Sequence, residues 1–163
     1  MMGKALPIGV DDFKELLIEN YYYVDKSLLI KELIDLKGKA NLFTRPRRFG
    51  KTLNLSMLQY FFEDTGNIKE NEINRKLFAG LKIVEQGEEY LAHMGQYPVI
   101  SLTLKSAKQP TFESAYFKLK EEITEEFKRH KGLLGQEGLD EDEKNCFGRL
   151  RPDRQILMYI QGR

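Results

Sequence analysis

Gly50, Lys51 and Thr52 stand in the order that closes a phosphate-binding loop, the last three positions of the pattern G-x-x-x-x-G-K-[ST]. A polyphosphate needs backbone N–H groups that converge on it and a chain that can approach without a Cβ in the way. Glycine permits that approach. The lysine then adds a point charge for the outer phosphates, and the threonine hydroxyl offers a ligand to Mg²⁺. Arg45 stands where the pattern has its first glycine. Pro46 fixes its own φ and biases Arg45 toward extended geometry, so the bend is expected one residue later. A G-K-[ST] tripeptide arises by chance in roughly one chain in ten of this size, so its surroundings decide what it means.

Those surroundings invite an anion. Between Leu36 and Phe62 there is no Asp or Glu, while Lys37, Lys39, Arg45, Arg47, Arg48 and Lys51 fall inside the same stretch. Over the whole chain 26 basic and 25 acidic side chains nearly cancel, so any binding to nucleic acid or membrane must be local rather than driven by net charge. The single cysteine, Cys146, cannot form an internal disulfide, and neither a C-x-x-C pair nor a histidine cluster has metal-ligand spacing. No apolar run approaches the roughly 18 residues of a membrane helix, and a soluble cytoplasmic protein is expected, with no membrane partner. His93 and His130 have no carboxylate or cysteine at triad spacing, and Glu121, Glu122, Glu125 and Glu126 read as an exposed helix face. The acidic run from Gln136 to Lys144 reads as a solvated loop.

The elements that must hold the loop follow from periodicity. Asp12 and Glu15 have capping-box spacing ahead of Phe13, Leu16 and Leu17, and Asp25 can cap a second helix lined by Leu29, Leu33 and Leu36, with Gly38 at its exit. "ANLFT" (40–44) reads as a short buried strand and a helix is expected from near Lys51, which is the strand, loop, helix context a phosphate loop requires. That helix carries Leu53, Leu55, Met57, Leu58, Phe61 and Phe62 and should lie against a sheet. Short helices are expected around 73–78 and 88–93. "YPVISLTL" (97–104) is the best second strand, and Thr111 caps a helix with Phe112, Ala115, Tyr116, Leu119, Ile123 and Phe127 at helical spacing. Strands alternating with helices predict an α/β fold with a parallel sheet.

"TRPRRFGKT" resembles the loop of the AAA-ATPase-like family, a divergent P-loop group in which R-P-R-R-F-G-K-T is the usual form. "LPIGVDDFKELLIENYYYVDKSLLIKELID", "LFAGLKI" and "YPVISLTLKS" are similar to further blocks of that family, so the resemblance covers about residues 5 to 147. It implies an incomplete three-layer P-loop NTPase domain over residues 1–147, with a divergent tail at 148–163. It also implies a nucleotide site built from Arg45, Pro46, Arg47, Arg48, Phe49, Gly50, Lys51 and Thr52, with ATP and Mg²⁺ as cofactors and Thr52 on the metal. By position in related ATPases, the block "YYVDKS" makes Tyr23, Val24, Asp25 and Lys26 candidate neighbours of the base, although the three tyrosines equally suit core packing.

Hydrolysis in such enzymes uses a strand ending in carboxylates, a block like L-I-D-E-Y-D, and the family commonly carries a nuclease-like PD-(D/E)XK domain; this sequence has neither. The chain is therefore expected to be the N-terminal part of a longer protein, and an ATP binder deficient in hydrolysis. "ILMYI" (156–160) could replace the absent strand, and otherwise an incomplete sheet should drive self-association. Two other readings stay open: a nucleic-acid-binding module in which the basic loop works with Phe43, Phe49 or a tyrosine as a stacking platform, and a non-catalytic protein-interaction module. Nucleic-acid binding would fall steeply with salt and ignore Mg-ATP. Thermal stabilisation by Mg-ATP separates the first reading from the third.

Overall fold

Asp12 opens the first helix as its spacing predicts, accepting the Glu15 N–H at 2.8 Å ahead of α1 (Phe13–Ile18). The computed structural model describes residues 4–38, 40–44, 46, 49–105 and 107–130. After α1 come α2 (Leu28–Leu36), α3 (Lys51–Phe62), α4 (Ile68–Leu77), a 3₁₀ segment (Lys82–Gln86), the short α5 (Glu88–Leu91) and α6 (Phe112–Arg129). The chain divides after Val99 into two units.

In the first unit α1 packs on both α3 and α4, α3 packs on α4, and the 3₁₀ segment sits against α2 and α5. The core between them is aromatic. Phe78 stacks obliquely on Phe13 at 5.3 Å between centroids and meets Phe61 edge-on at 5.2 Å. The row continues from Phe13 to Tyr23 and from Phe61 through Phe62 to Tyr97. Burying rings of this size supplies most of the driving force for closing short helices that could not stand alone in water. Polar ties fix the register: the Phe13 N–H donates to Ser56 Oγ at 2.9 Å, and the Tyr60 hydroxyl donates to the second oxygen of Asp12 at 2.9 Å. Burial, followed by that bond to Asp12, pushes the Tyr60 hydroxyl well above the usual tyrosine range. At the other side Lys31 reaches Asp35 at 2.9 Å and lies over the Tyr90 ring, whose hydroxyl also donates to Asp35, so α2 is pinned to α5.

The expected parallel-sheet α/β architecture, and with it the three-layer P-loop core, is corrected by this structure: the described residues are helical and contain no β-strand. A strand persists only when a neighbour satisfies its N–H and C=O groups. Residues 40–44 and 97–104 form no such ladder, and Leu42 and Ile100, intended as core, are 88% and 68% exposed. What pairing remains is an isolated parallel bridge between Glu63 and Tyr97, backed by the Asp64 N–H donating to the Tyr97 carbonyl at 2.8 Å. The helix from Lys51 therefore buries Met57 and Phe61 against helices rather than against a sheet.

Other expectations shift by smaller amounts. Ser27, not Asp25, is the N-cap of α2, and it makes no side-chain cap bond; Lys37 takes the left-handed exit at φ 47° in place of Gly38. The helix expected around 73–78 begins earlier, at Ile68, because Asn67 accepts the Lys69 and Glu70 N–H groups.

In the second unit Thr111 caps α6 by accepting the Ser114 N–H at 3.2 Å, as predicted. Glu126 departs from the expected exposed face: it is 8% exposed, accepts the Ser101 N–H at 2.7 Å and lies 3.2 Å from Arg129 and 3.5 Å from His130. "ILMYI" and the acidic run at 136–144 lie outside the described residues. Among the described residues no helix is long and apolar enough to cross a membrane.

Candidate functional site

Gly50 ends the loop in a left-handed conformation, φ 70° and ψ 25°, and serves as the N-cap of α3. Only glycine enters this region without a Cβ penalty, so the residue type and the helix start are linked. Its carbonyl accepts the Asn54 N–H at 2.9 Å, the first bond of the helix. Lacking a side chain, Gly50 makes no cap bond, and the first turn of α3 carries no acidic residue. The positive end of the helix dipole is thus neither capped by a side-chain oxygen nor answered by a carboxylate of that turn.

This helix end opens into a cleft of about 1080 Å³. One side is Phe49, Gly50, Lys51, Thr52 and Leu53; the other is the N-terminal segment Pro7, Ile8, Gly9, Val10 and Asp11; Lys26 completes it. The Asp12–Tyr60 and Phe13–Ser56 hydrogen bonds hold the N-terminal segment beside α3, and the Tyr22 N–H to the Ala5 carbonyl at 2.8 Å ties down its start. Gly9 turns there with φ 83°, leaving Ile8 89% exposed. The cleft therefore joins an apolar wall to a cationic end.

Of the residues predicted for the site, Lys26, Phe49, Gly50, Lys51 and Thr52 line this one cleft. Pro46 is exposed and is not among the lining residues, and Arg45, Arg47 and Arg48 lie outside the described residues. Tyr23, Val24 and Asp25 are not among the lining residues either. Tyr23 turns inward, meeting Phe13 edge-on at 5.6 Å and Met57 Sδ at 3.5 Å, the core-packing option the sequence left open. Burial pushes its hydroxyl above the usual range against the opposing bond from the Lys26 N–H. Asp25 accepts the Ser27 N–H and the Lys82 N–H, each at 2.8 Å, and Val24 is exposed. Partial burial alone would raise the Asp25 carboxyl; the Lys82 and Ser27 N–H bonds, the Ser27 hydroxyl and the nearby Lys82 charge outweigh it and hold the carboxyl below its ordinary range.

Residue-level reading missed the wall formed by Pro7–Asp11, which the family resemblance covered only as a block. The available signal was the run Pro7-Ile8-Gly9-Val10, apolar residues around a glycine just before the Asp12 helix cap. For a divalent metal, the side-chain oxygen donors among the lining residues are the Thr52 hydroxyl and the Asp11 carboxylate. These are hard ligands of the kind Mg²⁺ takes when phosphates fill most of its shell, so the residues fit that metal. Among the described residues no cluster of three or more His, Cys, Asp or Glu offers a self-contained metal cage.

Comparison with known proteins supplies the family. The family model described as "Predicted AAA-ATPase" matches residues 7–151, and the chain belongs to that AAA-ATPase-like family. It is also similar to a protein of Azotobacter chroococcum mcd 1 described as "Uncharacterized protein in vnfD 5'region", 38% identical over 84 residues. That alignment covers 51% of this chain and 14% of the relative, so the chain spans a small part of the relative's length. No solved structure matches the chain.

Proposed function

We propose that the chain binds a nucleoside polyphosphate, ATP in the first instance, in the cleft at the start of α3. One observation carries this reading: Gly50, Lys51 and Thr52 line a single cleft with Lys26, at a helix N-terminus that has no side-chain cap. Family membership supports nucleotide use in the same direction. Lys51 would place its charge on the outer phosphates, and the Thr52 hydroxyl would hold a Mg²⁺ that supplies charge neutralisation to the polyphosphate. The apolar wall of Pro7, Ile8 and Val10 suits the nucleoside part, since most of a base is apolar surface. Hydrolysis is proposed to be weak or absent, because no strand bearing carboxylates stands beside the cleft among the described residues.

Mg-ATP or Mg-ADP at 100 times its Kd should stabilise the purified chain by about 2.7 kcal/mol, read as an upward thermal shift. Lys51→Ala should weaken ATP binding by about 1.5–3 kcal/mol, the worth of a charged hydrogen bond, in calorimetric titration. A chain whose melting ignores both nucleotides, yet which binds single-stranded DNA in a salt-sensitive way, would replace this reading with the nucleic-acid one.

A further inference from the structure

Within the block D25-K26-S27, the two flanking side chains are committed to the fold. Asp25 accepts the Lys82 N–H at 2.8 Å and the Ser27 hydroxyl accepts the Ile83 N–H at 3.1 Å, so both ends of the triplet are bolted to the 3₁₀ segment. The Lys26 N–H is itself held by the Tyr23 hydroxyl at 3.1 Å. The Lys26 backbone is thus fixed by bonds before, at and after it, while its own side chain has a different fate. It is exposed, and among the described residues its ammonium makes no hydrogen bond or ion pair. It ends beside the loop: a Cβ built on Gly50 would sit 3.9 Å from Lys26 Nζ. Lys26 and Phe49 also line a second, smaller cavity of about 440 Å³, where Glu32 is the acidic neighbour, yet no ion pair joins Lys26 to it.

Lys26 and Lys51 line the same cleft, so an anion with several negative charges spread along its length can be attracted by both. We infer that Lys26 is a second phosphate-binding lysine, which closes on the polyphosphate from α2's side while Lys51 acts from α3's side, so that the cleft selects di- and triphosphates over monophosphates. This inference rests on the nucleotide reading above and gives Lys26 a different place from the sequence expectation, which had set it beside the base. The geometry favours phosphate over base because Lys26 Nζ lies 3.9 Å from where a Cβ on Gly50 would stand, at the loop residue whose missing Cβ makes room for phosphate, while the apolar wall lies with Pro7, Ile8 and Val10.

The test is calorimetric titration of the full chain and of Lys26→Ala and Lys26→Arg with Mg-ATP, Mg-ADP, AMP and inorganic tripolyphosphate, each protein first checked for an unchanged melting temperature. Lys26→Ala should weaken ATP and tripolyphosphate by about 10- to 150-fold, the range for one charged hydrogen bond, and leave AMP within about twofold. Lys26→Arg should recover most of the loss. Equal affinity of Lys26→Ala and the parent chain for ATP overturns the inference while leaving the nucleotide reading intact. So does an equal loss for ATP and AMP, which would return Lys26 to the base. A parent chain that binds none of the four overturns the nucleotide reading and this inference together. If Lys26→Ala melts lower than the parent, Lys26→Gln, which keeps most of the stem, takes its place and must show the same split between tripolyphosphate and AMP.

Discussion

Phe78→Ala should cost about 3–5 kcal/mol of stability, measured as a fall in the urea midpoint at unchanged slope. The ring is fully buried at the C-terminal end of α4. It stands in the middle of the aromatic row, against Phe13 of α1 on one side and Phe61 of α3 on the other. Removing it leaves a void that neither neighbour can fill alone, because Phe13 is also engaged with Tyr23 and Phe61 with Phe62. The consequence reaches the cleft. The contact between α1 and α3 is what sets the N-terminal wall beside Lys51 and Thr52, so nucleotide affinity should fall along with stability. Phe78→Leu, which refills most of the volume, should recover more than half of the loss. A cost under 1 kcal/mol for Phe78→Ala would mean that the row is not the core that holds the helices together.

The helices were legible in the sequence because their signals are local. Asp12 with Glu15, Thr111 with Ser114, and the apolar spacing from Lys51 to Phe62 each specify backbone within one or two turns. The sheet failed for the opposite reason. A stretch such as "YPVISLTL" advertises a strand by composition, but a strand is a relation between segments, and its ladder requires a partner that composition cannot name. Residues 95–97 instead close the end of α3, the Gly95, Gln96 and Tyr97 N–H groups donating to the Phe61 and Phe62 carbonyls, and residues 98–104 join no strand ladder. Loop residues Gly50 to Thr52 could be placed from spacing alone, because a glycine N-cap at φ 70° is a local event. The partition of the triplet at 25–27 could not. Which of Asp25, Lys26 and Ser27 serves the fold depends on the 3₁₀ segment more than fifty residues later, and no periodicity links the two.

Asp25→Ala should destabilise the first unit by about 2–3 kcal/mol, the partial exposure of the carboxylate trimming what two charged hydrogen bonds would otherwise contribute. The substitution strips the acceptor from the Ser27 and Lys82 N–H groups at once, loosening the 3₁₀ segment from α2. It should also weaken nucleotide binding, since the rigid presentation of Lys26 depends on that attachment. Asp25→Asn separates charge from shape: one amide oxygen can still accept a single N–H, so roughly half of the stability should survive at neutral pH. The sign of the pH effect follows from the direction of the shift. The folded carboxyl titrates below its unfolded value of about 3.9, so its contribution is complete above that pH and is lost as the pH falls further through the folded value. Urea midpoints of the parent chain and Asp25→Ala should therefore run parallel from pH 5 to 8 and converge below about pH 4. Convergence already at neutral pH would show that the two N–H groups find other acceptors, and that Lys26 is held by the Tyr23 hydroxyl and Ser27 alone.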